Sequence, residues 1–490
     1  MSSFLDEVRD ERIKKIDILK KDGIKSYPVS NNRDVSVASV LEKFDELSES
    51  QKKVTLAGRI MALRGQGGLL FFNLDDGTGK FQGLLKKDDM DEILFSSFIE
   101  IVDIGDFVEV SGTLFVTKRG EKSLKVEGWH MLSKCLRPLP DKWNGLQDIE
   151  ERFRKRYLDI LMSEEVKQRF VLRSKFVALL RRYLDSEEFL EVETPILQTI
   201  AGGATAKPFQ THHQALDMAL FLRIAPELYL KELLVAGMPK VYEIGRLFRN
   251  EGIDVTHNPE FTTVEFYEAY AEASKHMAFL EKMIRSIILE VTGSTTVLFD
   301  ENEIDFGKSF EVASFFDLIE KYSGIKEPLK LSYEELIEEA KKLKIEIKKG
   351  EGSEKIYDAI YKKCVRGKLI QPTFIKDYTV AFSPLAKKQE LHPEFIERYQ
   401  LVIAGFEVVN GFSELNDPLD QRERFIDQES KRGEGDEEAQ PKDEEYIEAM
   451  EYGMPPAGGV GMSIDRMIMI LTNTKNIREV ILFPTLRPRQ

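Results

Sequence analysis

The sequence has few cysteines and no long apolar run. Cys135 and Cys364 are its only two cysteines in 490 residues, and they lie far apart and outside any Cys-x-x-Cys pair. A disulfide framework or a cysteine-built zinc site is therefore not expected. The amino-terminal stretch MSSFLDEVRDERIKK is charged from its start, and no later stretch approaches about 18 consecutive apolar residues. We therefore expect a globular protein of the cytoplasm with no membrane partner.

The sequence also has only six histidines, and its net charge is negative. The pair His212-His213 lacks the H-E-x-x-H spacing that puts two imidazoles on one helix face, which argues against a catalytic transition-metal site. The net charge of −15 argues against a surface coated with basic residues for nucleic acid. Because segments such as ESKRGEGDEEAQPKDEEYIEAMEYG carry much of the acidity, a local basic groove is still compatible with this composition.

The first 138 residues contain two kinds of pattern. Residues 1–50 form a predicted helical extension, with a lysine-rich amphipathic helix over about 1–28. This helix fits a solvated surface helix or one that contacts phosphates equally well. Residues 51–138 contain five short alternating runs separated by Gly-rich or Asp-Gly turns, which are typical of a small closed barrel such as the oligonucleotide-binding (OB) fold.

The rest of the chain predicts a larger second domain. A proline-bearing linker over 139–165 leads into residues 166–490, where long helical stretches alternate with strand signals. That order suits an antiparallel sheet packed with helices. The Lys/Glu-rich stretch at about 310–390 is predicted to be a helical insertion outside the sheet core. The expected fold class is therefore α+β with several domains: an amino-terminal OB-fold barrel and an antiparallel sheet flanked by helices.

The stretch RNEGIDVTHNPEFTTVEFY predicts two strands around a turn, with charged residues on the strands. Because strand residues two apart share a face, Arg249 and Glu251 are predicted to point the same way on the first strand. Phe261, Glu265 and Tyr267 share a face on the second. A buried carboxylate without a partner costs several kcal/mol, so these glutamates need hydrogen-bond donors or a cation nearby.

A second segment, EVVNGFSELNDP, repeats this arrangement. Asn410, Phe412 and Glu414 share a strand face, whereas Glu407 has the opposite parity unless a bulge turns it.

A third segment, PPAGGVGMSIDRMIMIL, is rich in small residues. Gly459, Gly461 and Ser463 share a strand face, and Arg466 follows at the start of an apolar helix. Three small residues leave a flat surface on which a planar ligand can lie, and the arginine can stack on that ligand or hold phosphate. A lone Gly-x-Gly is weak evidence, but together the three segments predict one binding site.

These segments resemble motifs 2 and 3 of class II aminoacyl-tRNA synthetases, and FLEVETPIL, with Pro195, resembles motif 1. The resemblance covers nearly the whole chain, because the amino-terminal helix, the barrel, LRPLPDKW, RIAPELYLK, FRNEG, HNPEFT and NGFSELNDP follow in the order found in class II lysyl-tRNA synthetases. RIAPELYLK and NGFSELND are specific matches. The motif 1 match is degenerate, because Glu188 stands where a glycine is usual.

The resemblance implies an enzyme that joins lysine to tRNA(Lys), with ATP as substrate, Mg²⁺ as cofactor and a homodimer as the assembly. The implied ATP-binding residues are Arg249, Glu251, His257, Asn258, Phe261, Glu407 and Arg466, of which Arg249 and Arg466 are the implied catalytic residues. The implied lysine-binding residues are Gly203, Glu227, Arg249, Glu265, Tyr267, Asn410, Phe412 and Glu414. The implied metal ligands are Glu407, Gln400 and Glu414, and the implied anticodon-binding residues are Arg64, Phe71, Gln82 and Glu121.

The charge of the predicted pocket favours lysine as the amino acid. Glu265 and Glu414, with Tyr267 and Asn410, would need a cation, and an ammonium on a long apolar stem supplies one. An aspartyl or asparaginyl enzyme of the same fold would need a basic side chain to receive a substrate carboxylate. No lysine or arginine stands at these matched positions.

Two positions depart from the family pattern. Gln400 stands where a second magnesium-binding glutamate is usual, and a neutral amide is a weaker ligand for a hard cation. Ser463 replaces a usual glycine and narrows the adenine floor. These departures favour a decayed, RNA-binding protein as one alternative, which the retained motif residues disfavour. A second alternative is an enzyme that attaches lysine to a protein, which the barrel disfavours.

Overall fold

The chain folds into two compact units, Met1–Gln147 and Asp148–Gln490. The computed structural model describes residues 4–21, 23–140, 146–348, 351–433 and 439–489. Residues 141–145 of the predicted linker lie outside the described residues. None of the helices in the described ranges is both long and apolar enough to cross a membrane.

The first unit is a five-stranded barrel with four helices. The helices are α1 (Phe4–Lys21), α2 (Val37–Glu42), α3 (Phe44–Glu49) and α4 (Glu92–Ile101), and the strands are β1 (Val54–Gln66), β2 (Leu69–Asp75), β3 (Lys80–Lys86), β4 (Phe107–Val116) and β5 (Lys122–Ser133). The strands close in the order β1-β2-β3-β5-β4, which confirms the predicted OB-fold barrel. Alternating residues such as Phe72, Leu74 and Val110 fill its core.

Helix α1 is shorter than the predicted helix over 1–28. The backbone N–H of Ile24 donates to the carbonyl of Leu19 at 2.8 Å, and Gly23 has φ +71. A left-handed glycine with this backbone bond is a common helix end, so α1 ends at Lys21 and residues 23–28 are not helical.

The second unit is built on a large sheet. Its helices are α5 (Ile149–Arg154), α6 (Arg156–Met162), α7 (Glu164–Ser186), α8 (Glu227–Val235), α9 (Ala273–Thr292), α10 (Phe315–Ser323), α11 (Tyr333–Lys342), α12 (Ser353–Cys364), α13 (Pro418–Gly433), α14 (Glu444–Glu451) and α15 (Ile464–Leu471). Its strands are β6 (Leu190–Glu191), β7 (Leu197–Gln198), β8 (Gln210–His213), β9 (Met218–Leu222), β10 (Lys240–Phe248), β11 (Glu260–Ala269), β12 (Thr296–Phe299), β13 (Asn302–Asp305), β14 (Glu311–Ser314), β15 (Thr373–Thr379), β16 (Phe395–Ile403), β17 (Phe406–Ser413) and β18 (Ala457–Ser463).

Eight of these strands form one sheet in the order β14-β15-β16-β17-β18-β11-β10-β6. The six central strands pair antiparallel, as predicted, while the edge strands β14 and β6 pair parallel to their neighbours. Alternation along β11 divides the sheet between two cores: Val264 and Phe266 pack with residues of α7, α9 and α15, whereas Tyr267 packs with residues of α8, α10 and α12.

Two predicted boundaries differ from the structure. Strands β14 and β15 lie inside the stretch 310–390 and belong to the sheet, so only the helical middle of that stretch lies outside it. In the segment TFIKDYT the three residues Thr373, Phe374 and Ile375 are all buried, as in a strand that is covered on both faces. The predicted linker contains helices α5 and α6, which belong to the second unit because their Phe153 and Arg156 are buried.

Candidate active site

A cavity of about 490 Å³ lies against the central strands β11, β17 and β18. Strand register places the predicted residues in rows across the sheet. Glu265 and Asn410 both lie opposite Gly461, and Tyr267 and Phe412 both lie opposite Gly459. Directly opposite residues share a face of the sheet, so the three segments singled out in the sequence line one surface.

The hairpin that carries Arg249 differs from the prediction. Strand β10 ends at Phe248, so Arg249 and Glu251 lie in the connecting loop and not on a strand. The guanidinium of Arg249 lies 5.1 Å from the centre of the Phe261 ring, and its Nε is buried without a hydrogen-bond partner among the described residues. Both side chains line the cavity, whereas Glu251 is exposed and does not.

The loop residues His257 and Asn258 do not line the cavity. His257 is exposed, with Nδ1 2.9 Å from a carboxylate oxygen of Asp254 and Nε2 3.4 Å from Nη2 of Arg466. Asn258 is buried and donates from Nδ2 to the carbonyl of Glu260 at 2.6 Å. His257 therefore contacts Arg466, the predicted phosphate-binding arginine, although His257 does not line the cavity.

A bulge brings Glu407 to the cavity. Leu401 pairs with Val409 but the next residue, Val402, pairs with Glu407, so Val408 is an extra residue in β17. This bulge supplies the change of parity that the sequence required, and Glu407 lines the cavity. Nη1 of Arg466 donates to the backbone carbonyl of Glu407 at 2.7 Å.

Ser463, one of the two departures from the family pattern, caps helix α15. Its hydroxyl accepts from the backbone N–H of Arg466 at 3.3 Å. A serine at this position satisfies a helix N-terminus that glycine would leave open.

Glu227 and Glu265 line one end of the cavity, whereas Glu414 and Lys231, which contact each other there, are buried and do not line it. Nζ of Lys231 lies 2.6 Å from Glu227 and 2.5 Å from Glu414. Glu265 accepts from the hydroxyl of Tyr267 at 3.2 Å. Exposure is at most 7% for each of these three glutamates, and 0% for Lys231. Within the described residues this cluster is therefore short of positive charge.

The pKa values of these three carboxyls are all raised. Burial and then the nearby Glu227 raise the pKa of Glu265 to about 8. Burial also raises the pKa of Glu227 and of Glu414, and Lys231 opposes the rise in both. Burial opposes the ammonium of Lys231, but Glu227 and Glu414 outweigh it and raise the Lys231 pKa, so this ammonium stays charged.

Gly459 and Gly461 do not form the flat floor that the sequence predicted. A Cβ on Gly459 would lie 2.0 Å from Oε1 of Glu414 and 2.4 Å from the Tyr267 ring. The missing side chain therefore makes room for a carboxylate and a phenol, and not for a planar ligand. Only at Gly461, where a Cβ would have Glu265 atoms no closer than 3.7 Å, is the strand surface open.

Two cations near the cavity were missed in the sequence. Lys231 follows Glu227 by four residues in RIAPELYLK, and this spacing on a helix signals an ion pair. Nε of Arg398 donates to Oδ1 of Asn410 at 2.9 Å. That bond leaves the Asn410 amino group as a donor, which suits a substrate carboxylate better than the ammonium expected from the sequence.

The predicted helical insertion also reaches the cavity, as does helix α13. Glu354, Asp358 and Lys362 of α12, spaced four residues apart, line it together with Lys431 of α13.

The predicted metal ligands do not come together as a set. Glu414 is paired with Lys231 and lies seven positions from Glu407, roughly 20 Å along a strand. Oε1 of Gln400 accepts from the hydroxyl of Tyr378 at 2.7 Å. Among the described residues, no three His, Cys, Asp or Glu side chains cluster around a possible metal position. Glu407 and Gln400, which both line the cavity, still fit Mg²⁺ held largely by substrate phosphates.

The predicted anticodon residues converge on the barrel. Phe71 lies directly opposite Arg64 in the β1–β2 pair, and both are at least partly exposed. Nε2 of Gln82 donates to the hydroxyl of Ser123 at 2.8 Å, and that hydroxyl donates to the carbonyl of Glu121 at 3.2 Å. An aromatic ring beside amide and guanidinium groups is a typical surface for unstacked bases.

Comparisons with known proteins agree with this architecture. Residues 148–487 match the family described as tRNA synthetases class II (D, K and N), and residues 54–132 match the OB-fold nucleic acid binding domain. A lysine–tRNA ligase of Syntrophomonas wolfei is 46% identical over 99% of this chain and 98% of its own length. Lysine–tRNA ligases of Moorella thermoacetica and a Roseiflexus species are each 46% identical, over 98% and 99% of this chain and 97% and 99% of their own lengths. The chain therefore belongs to the class II tRNA synthetases, in the lysine–tRNA ligase family.

Proposed function

We propose that this chain is a lysyl-tRNA synthetase, which activates L-lysine with ATP to lysyl-adenylate and pyrophosphate and then transfers lysine to the 3′-terminal adenosine of tRNA(Lys). The observation that carries the proposal is the cluster of Glu227, Glu265 and Glu414 around the single ammonium of Lys231. Among the described residues this cluster has more carboxylates than cations, and free lysine brings two ammonium groups.

Lysine occupies one end of the cavity, where each of its charged groups meets a group of opposite charge. Its two ammonium groups are received by the glutamates, with Gly203 and Glu227 at the α-amino end and Glu265, Tyr267 and Glu414 at the side-chain end. Gly203 already lies against Glu227, because a Cβ on it would be 2.9 Å from the Glu227 Cβ. A leucine-like ligand would leave buried carboxylates unpaired, so the pocket rejects it strongly.

The substrate carboxylate lies toward Arg249 and Asn410. Nε of Arg249 has no hydrogen-bond partner in the part of the chain that the structure describes. Arg398 holds the oxygen of Asn410, so the amino group is the end of this amide that donates to the substrate. Phe412 lines the same side of the cavity and covers the apolar stem of the ligand.

ATP occupies the other end of the cavity. Phe261 stacks under adenine, and Arg249, which already lies over its ring, holds the α-phosphate. Glu251 accepts from the adenine amino group after its exposed loop closes on the nucleotide. His257 and Arg466, 3.4 Å apart, receive the γ-phosphate, with Asn258 beside them.

The first step needs no general base, because the lysine carboxylate is already ionised near neutral pH. Arg249 and Arg466 orient the two reactants and neutralise charge that develops on the phosphates. Glu407, with Gln400 as a weaker oxygen ligand, would hold Mg²⁺. When bound, that ion supplies further positive charge against the phosphate oxygens.

The barrel recognises the anticodon of tRNA(Lys). Phe71 stacks on a base, and Arg64, Gln82 and Glu121 contact its neighbours. Single-stranded loops are read in this way by aromatic stacking and edge hydrogen bonds.

The active form is a homodimer in the cytoplasm, where tRNA is used for translation. Leu190, Ile196 and Leu197 of the motif 1 segment are apolar residues that are each about half exposed, and a second copy can cover them. Sedimentation velocity should give a dimer for the parent and a monomer for Ile196→Lys. Cell fractionation checks the location.

ATP–pyrophosphate exchange with each of the twenty amino acids, without tRNA, tests the proposed activity. We expect exchange with lysine and with no other amino acid at comparable concentration. Aminoacylation with tRNA(Lys) then tests the second step, and a lysine-dependent exchange without tRNA charging would point to a protein acceptor instead. Absence of exchange in folded protein supplied with magnesium would refute the proposal.

A further inference from the structure

Lys231 is the buried cation of the amino-acid pocket, and none of the roles proposed above uses it. It lies on α8 one turn after Glu227 and is fully buried. Its ammonium contacts Glu227 at 2.6 Å and Glu414 at 2.5 Å, and lies 5.3 Å from the centre of the Phe412 ring. It therefore joins two carboxylates from distant parts of the chain, beside a ring that lines the cavity.

Lys231 favours the charged form of both carboxylates, against the effect of burial. A carboxylate removed from water takes up a proton unless a positive group faces it, and a protonated carboxyl no longer attracts an ammonium strongly. Because Lys231 faces one oxygen of each glutamate, the other oxygens stay available. For Glu414 this is Oε1, which is buried over Gly459 and has no partner among the described residues.

We propose that Lys231 is a positioning residue for the amino-acid pocket, whose ion pairs favour the charged forms of Glu227 and Glu414 and fix which of their oxygens face the substrate. The inference deepens the proposed function and rests on it. When all three carboxyls are ionised, the one built-in ammonium leaves two negative charges to be matched. Lys231 thereby selects a substrate with two amino groups, and it does so without touching that substrate.

The variants Lys231→Met and Lys231→Arg test this inference by exchange kinetics, with exposed Lys275→Met on α9 as the control for loss of a lysine. At about pH 7 the Met variant should raise KM for lysine about tenfold or more, since one pKa unit in a carboxyl partner corresponds to tenfold. Its KM for ATP should change little. From about pH 7 to about pH 9 its KM for lysine should fall more steeply than that of the parent, because the carboxyls then lose their protons. Lys231→Arg should recover most of the parent affinity, and Lys275→Met should match the parent.

Calorimetry in buffers of different ionisation enthalpy gives a second readout. Lysine binding should release more protons from Lys231→Met than from the parent, because more carboxyls are protonated in the free variant. A purely structural lysine would not produce this difference.

The inference is overturned if Lys231→Met keeps the parent KM for lysine and its pH profile. It is also overturned if the variant loses activity equally toward lysine and ATP, with no recovery at high pH and no rescue by arginine. If Lys231→Met does not fold, Glu227→Gln and Glu227→Gln/Lys231→Met make the same comparison with one buried charge fewer, and equal KM values for lysine in that pair reject the inference. A parent protein without lysine-dependent exchange instead rejects the proposed function itself.

Discussion

At the scale of a single side chain, Glu265 links burial, protonation and ligand binding. Its pKa in the folded protein is raised from 4.5 to about 8 by burial and by Glu227. A carboxyl whose pKa is raised on folding contributes stability that is fully present below about 4.5 and is lost as the pH rises to about 8. Near neutral pH the buried Glu265 carboxyl therefore lowers the free energy of unfolding of the ligand-free protein.

Replacement Glu265→Gln should separate stability from function. At about pH 8 the free variant should melt several degrees above the parent, whereas below about pH 4.5 the two should melt together, because both then carry a neutral side chain. Lysine should no longer stabilise the variant, and lysine-dependent exchange should fall by at least about a hundredfold, the loss expected for a buried charged hydrogen bond. Thermal unfolding across this pH range, with and without lysine, measures both effects. Equal melting temperatures at about pH 8 would show that the Glu265 pKa is not raised.

Gly459 should tolerate no side chain, because Glu414 and Tyr267 occupy the space above it. A Gly459→Ala variant should displace the Glu414 carboxylate and raise KM for lysine more than KM for ATP. Gly461→Ala is the matched control on the same strand face, since its Cβ would meet nothing closer than 3.7 Å. Exchange kinetics with each substrate varied in turn measure the difference, and equal effects of the two alanines would contradict this explanation.

Strand alternation predicted several cavity residues of β11, β17 and β18 but not the balance of charge in the cavity. Glu265 and Tyr267 share a face because their separation is even, and this follows from sequence alone. Lys231 and Arg398 were missed because each comes from another element, brought to the cavity only by tertiary packing. Arg249 was predicted to lie on a strand because its loop has residues that also suit strands. In the structure the pairing of β10 with β11 ends at Phe248, so Arg249 lies in the loop.

At the scale of secondary-structure elements, the pair β16–β17 positions the two proposed metal ligands. The bulge at Val408 turns Glu407 into the cavity, and Gln400 on the neighbouring strand is held by Tyr378. Gln400→Glu should lower the magnesium concentration for half-maximal exchange severalfold, because a carboxylate is a stronger ligand for a hard cation than an amide. Exchange rates measured across a magnesium titration give the result, with Glu407→Gln expected to shift it upwards. A titration curve for Gln400→Glu that overlays the parent would remove Gln400 from the metal site.

The end of helix α7 explains the usual glycine of motif 1. Glu188 has φ +68, and the N–H of Phe189 donates to the carbonyl of Leu184 at 3.0 Å, as in a helix end that favours glycine. Glu188→Gly should raise the free energy of unfolding by about 0.5–1 kcal/mol, since it relieves left-handed strain at some cost in chain entropy. Glu187→Gly, at φ −96, should lower it instead. Denaturant unfolding measures both changes in the free energy of unfolding. Changes of the same sign in the two variants would show that left-handed strain at Glu188 is not the cause.

The same scale shows where element boundaries could not be predicted. The stretch 310–390 was assigned to an insertion by its Lys/Glu content, yet its ends pair as β14 and β15. The solvent-facing helices dominate the composition of such a stretch, so its two short strands are not evident from composition. The barrel strands were predicted well because each is bounded by a Gly or Asp-Gly turn, a local signal that needs no tertiary information.

At the scale of the whole molecule, the two proposed tasks lie in separate compact units. The amino-acid and ATP pocket is built entirely within Asp148–Gln490, whereas Arg64, Phe71 and Gln82 belong to Met1–Gln147. Each unit has its own hydrophobic core. A change on the barrel surface should therefore affect the step that needs tRNA and leave amino-acid activation intact.

Phe71→Ala makes that separation measurable. Removing one stacking ring costs about 1–3 kcal/mol, which corresponds to a loss of about tenfold to a hundredfold in kcat/KM for tRNA(Lys). ATP–pyrophosphate exchange without tRNA should be unchanged, because no atom of the activation site is altered. Val116→Ala, an exposed residue at the end of β4, should change neither rate and serves as the control. Equal losses in both assays would mean that Phe71 acts through the folding of the barrel, and no loss in either would place base recognition elsewhere on the protein.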